Sequence, residues 1–252
     1  MTEILLLIGG FFMGVMNAIA GGGILLGFPV LLGAGLSPLV ANATANIVGL
    51  PASLSSAYGY RAYIRKVPRM YLLLLVPCFL GAIVGSLLLL HTPTTEFLRL
   101  VPWLVAFAVI LFTVQPYLHF HLHKTIKKKQ HHLIPILSLS LAIAVLSIYG
   151  SYFGAGFGLI MLAFLGLTKL HDIHQMNGLK NLAAATISLT TIIIIFPSGL
   201  INWQTGLIMA VGSTIGGYYG SKIAQRVSSH ALRVAVICIG FVTATYLFIH
   251  TI

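Results

Sequence analysis

Two pairs of asparagines, one in each half of the chain, are the polar side chains best placed to bind a small ligand. Asn42 and Asn46 are one helical turn apart, and so are Asn177 and Asn181, so each pair lies on one helix face. Their amides can donate hydrogen bonds to an anion, although the same pattern is typical of residues that cap a helix start. Lys180 is the cation nearest to these pairs, and it either adds charge to a binding site or simply extends to solvent.

Two glycine clusters interrupt apolar stretches and are the second candidate for chemistry. They are Gly21-Gly22-Gly23 and Gly154-Ala155-Gly156-Phe157-Gly158. Glycine lowers helix stability and lets the backbone turn. A helix that restarts after such a break presents free N–H groups and partial positive charge, which favour a bound anion. We therefore expect anion-binding N-termini near Ile24 and Leu159, unless the glycines only permit close packing.

These residues form the first part of the predicted substrate-binding set. It contains Gly21, Gly22, Gly23, Asn42, Asn46, Gly154, Gly156, Gly158, Asn177, Lys180 and Asn181. The chain has no HExxH motif, Walker loop or nucleophile–base pair, so we predict no enzyme activity, no metal site and no cofactor. Four further glycines are spaced four apart within apolar stretches and are assigned to helix packing: Gly81, Gly85, Gly216 and Gly220.

The composition indicates which kind of element must position these side chains. Of the 252 residues, 58% are hydrophobic and 7% are charged, whereas a soluble domain carries roughly a quarter charged residues. The polar residues are too few to cover a water-facing surface, so we predict an all-α, polytopic membrane protein. A net charge of +11 would suggest nucleic acid in a soluble protein. Here we expect it to set membrane topology, with no nucleic-acid partner.

Ten apolar segments follow one another along the chain. Six reach the roughly 20 residues that a spanning helix needs: 40–60, 70–90, 97–118, 177–196, 203–221 and 231–250. The other four, 4–20 with 24–36 and 133–150 with 157–168, form two pairs of shorter pieces, each split by one glycine cluster. The first segment lacks the positively charged leader of a signal peptide, so we expect it to be retained.

The chain is an internal duplication with an offset of 135 residues. Adding 135 superimposes residues of the same type throughout both halves: Gly21 on Gly156, Gly23 on Gly158, Asn42 on Asn177, Asn46 on Asn181, Ser53 on Ser188, Gly81 on Gly216, Gly85 on Gly220 and Ser86 on Ser221. The predicted division is a first transmembrane repeat (1–118), a basic cytoplasmic linker (119–132) and a second transmembrane repeat (133–252).

Basic residues predict the orientation of each repeat. They cluster at 61–69, 119–132, 169–180 and 222–233, which we expect to face the cytoplasm. Each glycine-split pair must then enter and leave the membrane on one side, as a hairpin followed by three spanning helices. Because three is odd, the repeats would be inverted, as in secondary transporters, with both termini outside. The alternative, eight spans in parallel repeats, places one basic loop on the wrong side.

The favoured function is transport of a small anion across the lipid bilayer. The acidic residues, at positions 3, 96 and 172, lie outside the apolar segments, whereas cation pumps place carboxylates within the membrane. A divalent metal transporter is an alternative, because five histidines lie close together at 119, 121, 123, 131 and 132. A non-transporting scaffold is another, although it would not need duplicated glycines and asparagines. The oligomeric state is open, with a homodimer as one option.

The motifs around both glycine clusters resemble those of the TauE/SafE family of sulfite-exporter-like membrane proteins. The resemblance covers nearly the whole chain and rests on Asn17–Gly23, Pro29, Val40–Thr44, Tyr149–Gly158 and Asn177–Asn181. It implies a permease of the cytoplasmic membrane for sulfite or an organosulfonate such as taurine or sulfoacetate, and the sequence itself leaves a small carboxylate anion open as well. It also adds Asn17 and Tyr152 to the predicted substrate-binding residues. It does not fix the substrate, the direction of transport or the coupling ion.

Overall fold

The computed structural model describes residues 3–128, 136–168, 170, 172–226 and 230–251. Helices make up almost all of these ranges and no strand occurs within them, so the predicted all-α class is confirmed. The helices are α1 (Glu3–Ala20), α2 (Ile24–Gly33), α3 (Pro38–Gly59), α4 (Arg61–Ile64), α5 (Arg69–Leu72), α6 (Leu75–His91), α7 (Thr94–Lys128), α8 (Ile136–Tyr152), α9 (Phe157–Leu165), α10 (Ile173–Ile195), α11 (Trp203–Ala224) and α12 (His230–Thr251).

The ten predicted apolar segments all contain helix, with two differences from the expected bounds. The segment at 70–90 is divided between α5 and α6 by a short turn. α7 runs for 35 residues to Lys128, so the first part of the predicted linker at 119–132 is helical rather than a loop. Lysine and leucine are good helix formers and both occur between residues 119 and 128, which allows α7 to continue past its apolar stretch. The remainder of the linker lies outside the described residues.

The first glycine cluster reverses the direction of the chain. Gly21 adopts a left-handed backbone, with φ of +72°, between α1 and α2. The two helices then run antiparallel, because Gly27 packs against Met13 and Gly9 packs against Val30. The first glycine-split pair is therefore a hairpin, as predicted, and not one long kinked helix.

The second glycine cluster forms the corresponding turn between α8 and α9. Gly154 and Gly156 have φ of +76° and +81°, a region that a side chain makes costly. α9 packs back against α8, as α2 does against α1. The two turns also touch each other, since the N–H of Gly158 donates to the carbonyl of Gly21 at 3.2 Å. The glycine clusters of both halves thus meet inside the molecule.

The two halves are interlocked by exchanged packing. α1 of the first half packs most extensively against α11 of the second, and its equivalent α8 packs against α6 of the first. Gly85 lies against the backbone of α8, and Gly216 and Gly220 lie against the backbone of α1. These glycines therefore serve close helix packing, as assigned from the sequence. Each half buries its first helix mainly in contact with the other half.

The equivalent helices α3 and α10 run in opposite directions. A Cβ on Gly178, near the start of α10, would lie 3.4 Å from the Cβ of Tyr60, at the end of α3. Beyond the other end of α10, the N–H of Asn202 donates to Thr44 Oγ1, near the start of α3, at 3.0 Å. This reversal is the relation that inverted repeats require. The orientation of the repeats in a membrane stays a prediction.

The outer surface of the bundle is apolar, while polar side chains are buried. Leu73 and Ile193 are 67% and 64% exposed, whereas Asn42 and Ser213 are almost fully buried. Four helical stretches of the described residues are long and apolar enough to cross a membrane: Glu3–Ala20, Arg69–His91, Thr94–Leu111 and Ile173–Ser198. α3 and α11 have 22 residues each and match the membrane in length, but buried asparagine, serine and glycine lower their hydropathy.

Candidate functional site

A cavity of about 40 Å³ lies where the two glycine turns meet α3 and α10. Its polar lining comes from Asn17 on α1, Asn46 and Ser53 on α3, and Ser188 on α10. The predicted residues Gly21, Gly23 and Gly154 also line it. A volume of this size holds roughly three water molecules. The cavity can therefore take a ligand of a few heavy atoms at most in this conformation.

Equivalent residues of the two repeats line the cavity together. Gly49 and Ser53 on α3 correspond to Ala184 and Ser188 on α10 at the offset of 135, and all four are lining residues. Each pair is one helical turn apart and shares a face. The two serines match each other at this offset, but the predicted binding set does not contain them. The signal that identifies them is a repeated serine two turns after Asn46 and after its equivalent.

The two lining asparagines already have hydrogen-bond partners inside the protein. Asn17 Nδ2 donates to Ser53 Oγ at 2.9 Å, which joins α1 to α3 at the cavity wall. Asn46 Nδ2 donates to the carbonyl of Asn42 at a longer 3.2 Å. Both bonds involve neutral groups, so their net contribution is only about 1 kcal/mol each. An incoming anion can replace them at little cost.

Lys180 is fully buried and does not extend to solvent. Its ammonium donates to the carbonyls of Asn17 and Ala18 at 3.1 and 3.3 Å and to Asn177 Oδ1 at 3.1 Å. These carbonyls belong to the last turn of α1, where a cation complements the helix dipole. Lys180 is absent from the cavity lining. It sits behind the wall, bonded to the backbone of the lining residue Asn17.

The other predicted asparagines have three different environments. Asn42 Nδ2 donates to the carbonyl of Tyr152, the last residue of α8, at 2.8 Å. Asn177 is the acceptor for Lys180. Asn181 is fully buried, and neither its amide nitrogen nor its oxygen has a partner. None of these three residues lines the cavity, although Asn181 lies one turn before Ala184 on the same face of α10.

Tyr152 and the remaining predicted glycines, Gly22, Gly156 and Gly158, are not among the residues that line the cavity. The Tyr152 hydroxyl is 3.3 Å from Thr92 Oγ1, and its ring helps to form a separate apolar depression with Leu88 and Ile148. The carbonyl of Gly22 accepts from the N–H of Leu25 at 3.0 Å. The structure therefore places five of the predicted residues at the cavity: Asn17, Gly21, Gly23, Asn46 and Gly154.

The N–H groups expected to be free at the start of α9 are instead bonded. Phe157 N donates to Gly154 O at 3.1 Å, Gly158 N donates to Gly21 O at 3.2 Å, and Leu159 N donates to Gly156 O at 3.0 Å. Two of these carbonyls, those of Gly154 and Gly156, belong to the turn that precedes α9, and the third belongs to the first glycine turn. The expectation of bare backbone donors at this position was therefore wrong for this conformation.

The predicted alternative of a metal site rests on residues that the structure does not describe in full. Side chains of the histidines at 119, 121 and 123 and all of residues 131 and 132 lie outside the described part. Elsewhere, in the ranges given above, no three His, Cys, Asp or Glu side chains come together in a way that could hold a metal ion.

A duplicated helical bundle with an apolar surface and a small internal cavity that a few polar side chains line is the architecture of a multi-pass membrane transporter. The profile of the family described as sulfite exporter TauE/SafE matches residues 6–247. The chain belongs to this family, as the motif resemblance predicted.

Named relatives agree with this class. The chain is 28% identical over 239 residues to a "Probable membrane transporter protein" of Haemophilus influenzae, covering 92% of this chain and 89% of that protein. It is 25% identical over 237 residues to the "Probable membrane transporter protein YfcA" of Escherichia coli K12, covering 93% and 85%. A Sinorhizobium protein, "Probable membrane transporter protein ORF9", is 24% identical over 244 residues, covering 95% and 89%. No solved structure gives a significant match.

Proposed function

We propose that this protein is a secondary transporter of a small anion across the cytoplasmic membrane, and not an enzyme. The observation that supports this most strongly is the central cavity and the charge behind it. Two amides and two serine hydroxyls line the cavity, no carboxylate does so, and the Lys180 ammonium bonds to the backbone of the lining residue Asn17. Neutral donors replace part of the hydration that an anion loses, and a nearby cation offsets more of that cost.

Sulfite, an organosulfonate or a small carboxylate is the proposed substrate class. These anions present several acceptor oxygens around one atom, which matches donors that converge from α1, α3 and α10. The family description names sulfite export, and the proposal extends that substrate class to this chain. The small size of the cavity favours sulfite over taurine in the conformation described.

The proposed membrane arrangement is two inverted repeats with both termini outside and residues 119–132 in the cytoplasm. The reversed directions of α3 and α10 support it, and so does the clustering of basic residues in the predicted inner loops. The test is the reaction of a single engineered thiol, Lys128→Cys, in protein that lacks both native cysteines. Labelling from outside intact cells would contradict this arrangement.

The decisive experiment is transport by the purified protein in liposomes. We expect radioactive sulfite to enter liposomes that contain the protein faster than liposomes without it. The Asn46→Leu variant should lose most of that activity, because the substitution removes an amide from the cavity lining. The matched control is Leu54→Ala, which changes an exposed α3 side chain that is 52% accessible and should leave transport unchanged. Transport of Mn²⁺ or Zn²⁺ without transport of sulfite, taurine or acetate would overturn the anion proposal.

A further inference from the structure

Among the described residues, the buried side-chain nitrogen and oxygen atoms that lack a hydrogen-bond partner belong to Tyr60, His174 and Asn181. They are Tyr60 Oη, His174 Nδ1, and both polar atoms of Asn181. Leaving such a group buried and unpaired costs about 1–3 kcal/mol. Native proteins hold few of them, and each needs a physical explanation. Here all of them occur in one region of the fold.

This region is one face of α10. His174, Gly178 and Asn181 are spaced four and three residues apart, so they lie on the same side of the helix. The same spacing continues to Ala184 and Ser188, which line the cavity. The unpaired groups therefore follow a line from the first turn of α10 to the cavity wall.

Tyr60, at the end of α3, covers this face. Its ring stacks on the imidazole of His174, with centroids 6.2 Å apart and planes at 23°. It also packs over Gly178, where a Cβ would lie 3.4 Å from the Cβ of Tyr60 and 2.5 Å from Ile64 Cγ1. Tyr60 is fully buried. The space between α10 and the end of α3 is closed in this conformation, and a Cβ at position 178 would clash with the Ile64 side chain.

We propose that Tyr60, His174 and Asn181 form a second binding station for the anion, between the cavity and the N-terminal end of α10. This rests on the proposed anion transport. A phenol O–H, an imidazole N–H and an amide NH₂ are all donors to oxyanion oxygens. The station is shut in the conformation described, and its groups gain partners when the anion passes through it. The exposed side chains of Arg61 and Arg65 stand at this end and attract anions to it.

The other repeat lacks such a station. At the offset of 135, Tyr60 corresponds to Ile195 and His174 corresponds to Leu39, both buried and apolar. Asn181 corresponds to Asn46, which lines the cavity. The two sides from which an anion would reach the cavity are therefore chemically different. Apolar side chains lie on one side, and unpaired hydrogen-bond donors lie on the other. The polar end coincides with the basic segment at 61–69.

The test uses substitutions that delete only an unpaired group. Tyr60→Phe and Asn181→Leu should leave thermal stability in detergent unchanged or raised, because no hydrogen bond is lost. Both should lower the rate of sulfite transport about tenfold to a hundredfold, the effect of one hydrogen bond to a charged group. The matched control is Tyr63→Phe, one turn further on, which removes the same atom from a ring that contacts His174 and should change neither quantity. Transport at the normal rate in both Tyr60→Phe and Asn181→Leu would overturn the station.

A second measurement does not depend on the transported substrate. In protein with Cys78 and Cys238 replaced by alanine, Asn181→Cys should react faster with an anionic sulfonate-bearing thiosulfonate reagent than with its cationic ammonium analogue. An unreactive Asn181→Cys beside a reactive Ser188→Cys would show that no route passes this residue and would overturn the station. If the unmodified protein moves no tested anion while Asn181→Cys still prefers the anionic reagent, the station stands and the proposed transport fails.

Discussion

The two glycine turns occupy equivalent places in the two repeats, but the helix end before each turn is capped by a different side-chain group. Asn17 O at the end of α1 accepts from the Lys180 ammonium at 3.1 Å. Its equivalent at the offset of 135, Tyr152 O at the end of α8, accepts from the neutral amide of Asn42 at 2.8 Å. In both turns the donor comes from the opposite repeat. Both repeats therefore retain a side-chain donor at this helix end, but only the donor at the end of α1 is charged.

A symmetric framework can therefore hold an asymmetric pair of helix caps. Carbonyls at a helix C-terminus need donors, and either an amide or an ammonium satisfies them. Only the ammonium also raises the electrostatic potential of the cavity beside it. The position equivalent to Lys180 is Ala45, a cavity-lining residue, so the second turn gains no such charge. We expect the first turn to control anion affinity and the second to contribute mainly stability.

Substitution of Gly21 should destabilise the protein more than substitution of the equivalent Gly156. Gly21→Ala places a methyl group 2.5 Å from the Cα of Gly158, on a backbone with φ of +72°. The clash is with backbone that cannot rotate away, so we expect a loss of about 2–4 kcal/mol from overpacking and backbone strain together. Gly156→Ala, with φ of +81° and its nearest atom at 3.5 Å, should lose only about 1–2 kcal/mol from backbone strain.

Thermal unfolding in detergent, followed for both variants in parallel, measures this difference. Equal losses would show that the contact between the two turns is dispensable and that only backbone conformation matters there. A larger loss for Gly156→Ala would reverse the comparison.

The next effect concerns the charged cap. Lys180→Met keeps the length of the side chain but removes the ammonium, and we expect the half-saturation concentration for sulfite to rise about tenfold to a hundredfold. Lys180→Arg should restore part of the affinity, because the guanidinium keeps the charge but is larger and differently shaped. Substrate dependence of transport in proteoliposomes is the measurement. An unchanged half-saturation in Lys180→Met would reduce this residue to a structural cap of α1.

Much of this arrangement could be predicted from sequence because it depends on local pattern. Apolar runs of known length and glycine clusters located ten helical segments and both hairpins. The offset of 135 identified equivalent residues without any structure. The partners of Lys180 could not be predicted in the same way, since its contacts with Asn17 and Ala18 join residues more than 160 positions apart. Sequence spacing shows which face a residue occupies but not which helix packs against it.

The residues that line the cavity were predicted only in part, for a related reason. The asparagine pairs were correctly placed on single helix faces, but one helical turn separates Asn46 at the cavity from Asn42 behind it. Which of two residues on one face reaches a cavity depends on where the neighbouring helices approach. The serines at 53 and 188 were missed because a serine in an apolar helix is usually a packing residue.

The smallest expected effects distinguish two equivalent asparagines. Asn42→Ala removes one neutral hydrogen bond to Tyr152 O, and we expect a loss of about 1 kcal/mol in stability. Its half-saturation for sulfite should not change, since the second turn carries no charge. Asn177→Ala removes one of the three acceptors of the Lys180 ammonium. We expect a similar loss of stability together with a few-fold change in half-saturation, because the ammonium is held less firmly behind Asn17.

Stability and the half-saturation concentration for sulfite should be measured for both Asn42→Ala and Asn177→Ala. The result decides whether the charge of the Lys180 cap affects anion affinity or whether both caps only stabilise helix ends. If charge is what distinguishes the turns, affinity responds to Asn177→Ala alone, and raising the salt concentration has little effect because Lys180 is buried. If both variants change affinity equally, the caps act only by fixing the ends of α1 and α8. The anion would then be held by the lining amides and hydroxyls, and the asymmetry of the repeats would be structural rather than electrostatic.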